Sequence, residues 1–259
     1  KISAFSGVAR FISPNEISVN RRHLSAHKFL IATGSHWAIP NIPGLNLVNY
    51  FTPHTILEAI RPPKSLLIIG GGDSGVEVAY IMSVFGTKVY IAEQNDYILP
   101  NRDKEVGTII EQILTDQKGV SVLTSSTVVS IEKDGLYKRA TIARGGSEKS
   151  IKVDEILVAA GRLPTVDLGL ENAGVKYSPK NGIKVNEFLQ TNVDHIFAAG
   201  DCLGHNFCTH TALNESQAAA NNMFHRNKLT IDYLSSPTAL FIRPGIASVG
   251  LSEKDCQKQ

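Results

Sequence analysis

Residues 65–86 read SLLIIGGGDSGVEVAYIMSVFG, and this stretch decides the fold. Ser65 to Ile69 is an apolar run of the kind carried by a strand buried on both faces. Gly70 to Gly75 is a turn spaced as G-x-G-x-x-G. From Val76 to Phe85 the period changes, with Val76, Ala79, Tyr80 and Ser83 at helical spacing. A strand, a glycine turn and a helix in direct succession are the context in which such a turn holds a dinucleotide. Gly70 permits the tight turn, Gly72 lets backbone approach a pyrophosphate, and Gly75 lets helix and strand pack closely. Asp73 and Ser74 fall at the helix start, where free N–H groups and a partial positive charge face the phosphates.

Working outward, Lys88 to Ala92 reads as a second buried strand that ends at Glu93. A carboxylate there accepts hydrogen bonds from the hydroxyls of an adenosine ribose and repels a 2′-phosphate. No arginine lies between Glu93 and Pro100 to welcome one, so NAD is expected rather than NADP. Glu77, in the first turn of the helix, either complements the helix dipole or sits near a reacting nicotinamide or flavin. Asp103 to Gln117 reads as an amphipathic helix and Val120 to Leu123 as a third strand. This alternation predicts a parallel sheet with right-handed crossovers.

The flanks differ. Ile2 to Arg10 and Asn15 to Asn20 read as short strands around Pro14, and Lys28 to Ala32 as a buried strand. Two alternating runs within Val128 to Ala143 meet at Lys133-Asp134-Gly135, a hairpin signal. Ile151 to Ala159 and His195 to Ala199 read as strands, and Thr211 to Phe224 as a helix. Three strand ends share one design: Ala32-Thr33-Gly34, Ala160-Gly161-Arg162 and Ala199-Gly200-Asp201. Ligands of open α/β sheets bind at such carboxyl ends. Asp201 could accept a bond from a sugar-alcohol hydroxyl; from the residue alone, a turn cap remains the other reading.

Five segments, FLIATGS (29–35), LLIIGGGDSGVEVA (66–79), ILVAAGRLPT (156–165), HIFAAGDC (195–202) and PTALFIRPGIASVGLSE (237–253), run in the order of a known family. On them the chain resembles the class I pyridine nucleotide–disulfide oxidoreductases, such as dihydrolipoamide dehydrogenase, mercuric reductase and glutathione reductase. The resemblance implies an α/β protein: a Rossmann-like NAD-binding domain (37–163) inserted into a partial FAD-binding domain (1–36 and 164–234), then the start of an α+β dimerisation domain (235–259). It implies FAD contacts at Ala32, Thr33, Gly34, Gly200, Asp201, Thr209, His210, Thr211 and Ala212. It adds Gly161 and Arg162 to the NAD set of Gly70, Gly72, Asp73, Ser74, Gly75, Glu77 and Glu93. Glu77 resembles the family's acid near flavin and nicotinamide. The stretch HTALNES (210–216) is closer to the lipoamide dehydrogenase and mercuric reductase branch than to glutathione reductase.

The sequence departs from that family where its first G-x-G-x-x-G, its redox C-x4-C and its late His-Glu pair are expected. Asp73 stands where the branch often has an apolar or aromatic residue. Together with Lys1 as first residue, this leads to the expectation of a piece of a longer chain, inactive by itself. Cys202 and Cys208 form no established redox spacing, so they are expected as ordinary thiols, with no metal site.

The formal charge is +2 and no apolar run reaches 18 residues, so neither nucleic acid nor membrane is expected as a partner. Ile2 to Asn20 is polar and alternating, unlike a signal peptide. Three cysteines fit a reducing cytoplasm. The intact protein is expected to be a homodimer acting on a small or protein-bound disulfide. A dihydrolipoamide dehydrogenase-like enzyme is the expected activity. The alternatives are a mercuric reductase-like enzyme, a flavin NADH oxidase or ferredoxin-type reductase, and a non-enzymatic NAD-binding module.

Overall fold

A computed structural model describes residues 2–257 of the chain. Strands β1 (Ala9–Ser13), β2 (Glu16–Val19) and β3 (Arg22–Ser25) form an antiparallel sheet, and β4 (Phe29–Ile31) and β5 (Ser35–Trp37) follow. Next come β6 (Ser65–Ile69), α1 (Asp73–Val84), β7 (Lys88–Ala92), α2 (Lys104–Lys118) and β8 (Ser121–Leu123). Three longer strands, β9 (Thr127–Asp134), β10 (Tyr137–Arg144) and β11 (Ser147–Val153), pair antiparallel before β12 (Glu155–Val158). After β13 (Arg162–Pro164) the chain forms two short pairing strands, β14 (Tyr177–Ser178) and β15 (Gly182–Ile183), then β16 (Ile196–Ala198) and α3 (Thr209–Phe224). The hairpin of β17 (Thr238–Leu240) and β18 (Ile246–Ser248) closes the fold before the short α4 (Glu253–Cys256). Among the described residues, no helix is long and apolar enough to cross a membrane.

The chain divides into two compact units, residues 1–36 with 162–236, and residues 37–161 with the segment from 237 onward. In the second unit, β12, β6, β7 and β8 form a parallel sheet in that order. Its central strand explains the unbroken apolar run. Leu66 and Ile68 face a core shared with Val76, Ala79, Ile110 and Leu114 of the two helices. Leu67 and Ile69 face the opposite core, with Val128, Ile131, Ala140 and Ile142 of the antiparallel sheet. Successive side chains of a strand point to opposite faces, so both sets must be apolar. In the first unit, β4 and β16 pair in parallel. Their Phe29, Ile31, Ile196 and Ala198 pack with Phe11, Leu170, Ala218 and Ala219.

Two expectations about elements are corrected. The run Ile151 to Ala159 is two strands: β11 pairs antiparallel with β10, and β12 pairs parallel with β6. The change of sheet falls at Asp154, whose N–H donates to Ser65 Oγ at 2.9 Å. Residues 2–8 are not strand, and Arg22–Ser25 is. Its RHLS sequence has little apolar signal, because it is an edge strand held by backbone pairing to β2. Within the segment expected to open a dimerisation domain, Leu240 and Ile242 pack in the core that holds α1.

Ile68 is fully buried, whereas Ile60 is 98% exposed. Ile68→Ala should destabilise the chain by about 2–5 kcal/mol, through lost transfer energy plus the cavity left behind. Ile60→Ala should change stability by less than about 0.5 kcal/mol. Urea unfolding of both variants checks the contrast.

Candidate functional site

The carboxyl end of β6 feeds directly into the glycine turn, and α1 starts at Asp73, inside it. At Gly70, whose φ is +108°, an added Cβ would lie 2.4 Å from the Ala159 carbonyl oxygen. At Gly75 it would lie 2.1 Å from the Gly70 carbonyl oxygen. Both positions are closed by the protein's own backbone. Gly72 is different: it is extended at φ −75°, and a Cβ there would meet nothing within 4 Å. Neither conformation nor packing within the chain demands glycine at 72. The backbone at Gly72 is thus open to a group approaching from outside, in a cradle of space that a side chain would fill. No side chain caps the start of α1, so its first N–H groups are available to an anion.

Glu93 closes this cradle. It is buried, and its Oε2 accepts the Gly71 N–H at 2.6 Å. Its Oε1 accepts the Asn95 N–H at 2.8 Å and Asn95 Nδ2 at 2.5 Å. Three donors fix the carboxylate at the end of β7 and leave acceptor capacity for a further hydroxyl. Asp73 pairs with Arg102 in a fork, Nε to Oδ1 at 3.2 Å and Nη2 to Oδ2 at 2.7 Å. Ser74 follows Asp73 in the first turn of α1. Glu77, one turn further, accepts the Phe241 N–H on Oε1 at 2.9 Å. Partial burial lifts its carboxyl above the ordinary glutamate range, against the pull of that bond.

In the other unit, a cleft of about 400 Å³ opens at the ends of β4 and β16. Among the residues expected at a flavin, Ala32, Gly34, Gly200, Asp201, Thr209 and Ala212 line it. Asp201 Oδ2 accepts Ser35 Oγ at 2.6 Å and pairs with Arg162 Nη2 at 3.4 Å. Arg162 Nε donates to Ser35 Oγ at 2.7 Å. Arg162, expected with the glycine turn, thus lines the Asp201 cleft instead. Gly161, beside it, has φ +113°, and its carbonyl accepts the Ala38 N–H, outside that cleft. Three expected residues do not line the cleft. Thr33 Oγ1 donates to the Thr165 carbonyl, His210 Nδ1 lies 3.2 Å from Cys208 Sγ, and Thr211 is buried.

Sequence reasoning missed Glu215. It is buried in α3, and its Oε2 accepts the Gly200 N–H at 2.6 Å, fixing the turn that carries Asp201. Its Oε1 accepts the Tyr233 hydroxyl at 2.9 Å. Burial and this carboxylate push the Tyr233 phenol up. The available signal was an acid among the alanines of the inward face of α3. Phe207, Cys208 and Ser216 also line the cleft and were not expected there. Cys202 is buried, its thiol donating to the Ala199 and Ile31 carbonyls, and burial pushes its pKa up.

The family described as pyridine nucleotide-disulphide oxidoreductase matches residues 1–222. The chain is 36% identical over 255 residues to the mercuric reductase of Staphylococcus aureus, covering 98% of this chain and 46% of that protein. It is 37% identical over 263 residues to the dihydrolipoyl dehydrogenase of Thermus scotoductus, covering 100% of this chain and 56% of that protein. Among solved structures, it is similar to the HOCl-induced flavoprotein disulfide reductase RclA from Escherichia coli in its Cu(II) complex. There the TM-score is 0.89 at 28% identity, over 97% of this chain and 58% of that one. The chain spans about half the length of the curated relatives it matches.

Two outcomes test the geometry. Gly75→Ala should cost several kcal/mol, since backbone must move, while Gly72→Ala should leave stability unchanged or raise it by up to about 1 kcal/mol. Equal losses on thermal unfolding would contradict the open cradle. For Glu77, the folded state binds the carboxyl proton more tightly than the unfolded state. Its contribution to stability is therefore full below about pH 4.3 and lost as pH rises through the folded pKa. Glu77→Gln removes that loss, so urea titrations should show the variant gaining on the parent chain between pH 4 and 7.

Proposed function

Since the chain belongs to the pyridine nucleotide-disulphide oxidoreductase family, we propose that it carries the nicotinamide-nucleotide unit and part of the flavin unit of an FAD-dependent NADH:disulfide oxidoreductase. The observation that carries this reading is the cradle itself: an open Gly72 flanked by backbone-closed Gly70 and Gly75, with the Glu93 carboxylate locked onto the Gly71 N–H.

When bound, FAD would supply the redox chemistry that links reduced nicotinamide to a disulfide. Gly72 and the start of α1 bind the diphosphate of NAD. Glu93 accepts from the adenosine ribose, and its negative charge disfavours a 2′-phosphate, which supports NAD over NADP. In the other unit, Asp201 accepts from a flavin ribityl hydroxyl, with Ser35 and Arg162 orienting its carboxylate. The start of α3, at Thr209, has no side-chain cap and would offer its first N–H groups to the flavin edge that is negatively charged in the reduced form. The redox cysteine pair is assigned to another part of the full protein, a homodimer. Within the family, the HTALNES stretch favours the branch of dihydrolipoamide dehydrogenase and mercuric reductase over glutathione reductase; a dihydrolipoamide dehydrogenase-like activity is the one proposed, with mercuric reductase as the near alternative.

Stopped-flow mixing of the full flavoprotein with NADH tests the reading, and rapid bleaching of the flavin is expected. A flavin that stays oxidised would refute it. Glu93→Gln keeps an acceptor for Gly71 but removes the charge. It should weaken NADH by about tenfold through a poorer ribose bond while leaving NADPH unchanged or improved. Equal losses for both nucleotides would contradict the role given to Glu93.

A further inference from the structure

An acid at the first residue of α1 suits the helix dipole but opposes a diphosphate placed there. Asp73 is 47% exposed on its side chain, whereas its partner Arg102 is only 9% exposed. The backbone that carries the guanidinium is tied down: the Arg102 N–H donates to the Leu99 carbonyl at 2.9 Å, and the Leu99 N–H donates to the Gly71 carbonyl at 2.8 Å. The turn that carries Arg102 is thereby pinned to the glycine turn. Arg102 Nη1 also lies 3.5 Å from Ser248 Oγ. One turn along α1, Glu77 adds a second acid, occupied by the Phe241 N–H. A largely covered arginine on a backbone pinned to the glycine turn is held by a half-exposed carboxylate at the start of α1.

An arginine fork accepts carboxylate and phosphate oxygens by the same planar geometry. We propose that Arg102 is a diphosphate ligand of the bound dinucleotide, and that Asp73 is a stand-in anion which holds its guanidinium until a phosphate oxygen replaces the carboxylate. This rests on the dinucleotide reading above and deepens it. No bond is made or broken; an ion pair is exchanged. Asp73 therefore competes with the nucleotide, and Arg102 favours it. Substitutions at the two ends of one ion pair then have opposite signs, which a purely structural bridge does not give.

The test uses the full flavoprotein and three probes, NADH, ADP and adenosine, the last lacking phosphate. Asp73→Asn should tighten ADP and NADH by about three- to tenfold, because a competing charge is removed. Arg102→Met should weaken both by about tenfold or more, because a charge-assisted contact is lost and Asp73 is left to repel. Adenosine should bind all three proteins within about twofold. Matching losses of ADP affinity in both variants, or a parallel loss of adenosine, would overturn the exchange and leave the pair as a structural brace. Unchanged ADP affinity in both variants would overturn it as well. If the parent protein takes up no NADH, the dinucleotide reading falls, and this inference with it.

Discussion

The hydrogen bond from the Gly71 N–H to the buried Glu93 carboxylate joins two neighbouring parallel strands at the one place where both stop. Everything proposed for the second unit depends on it. It sets the glycine turn against the end of β7, and it keeps a carboxylate beside backbone that faces outward. Close packing completes the constraint. The Gly70 and Gly75 backbones approach too tightly for any side chain, so the start of α1 is forced down onto the sheet. A turn clamped in this way keeps its N–H groups in place before any anion arrives, so little ordering cost remains for binding.

The clamp holds because the strands below it cannot shift. Leu66, Leu67 and Ile68 are fully buried, alternately against the helices and against the antiparallel sheet. A register slip by one residue would exchange the two faces. The first unit repeats the logic at smaller scale. Two parallel strands end at Gly34 and Gly200, and a buried glutamate on α3 ties down the second of these turns. In both units a carboxylate accepts a glycine N–H at 2.6 Å beside the open end of a strand.

Much of this was legible in the sequence because it is local. The glycine spacing, the apolar run before it and the acid after β7 are each fixed by a few neighbouring residues, and one period or one turn decides them. What was not legible depends on contacts between distant positions. Arg162 is placed in the nucleotide set by the family resemblance, yet its partners Ser35 and Asp201 lie 127 and 39 positions away along the chain. Arg102 and Asp73 are separated by 29 residues and by a strand, so neither announces the other. Ile151 to Ala159 reads as one strand because no glycine or proline interrupts it; the change of partner from β10 to β6, with the Ser65–Asp154 contact at the join, reveals the change of sheet. Glu215 was hidden because a single acid on a helix ordinarily reads as a surface residue.

The most direct measurement is an amide NMR titration of the chain with NADH. Dinucleotide binding at the cradle requires saturable shifts at Gly71, Gly72, Asp73 and Ser74, accompanied by shifts at Glu93 and Asn95. A titration that moves resonances elsewhere while those six amides stay still would contradict it.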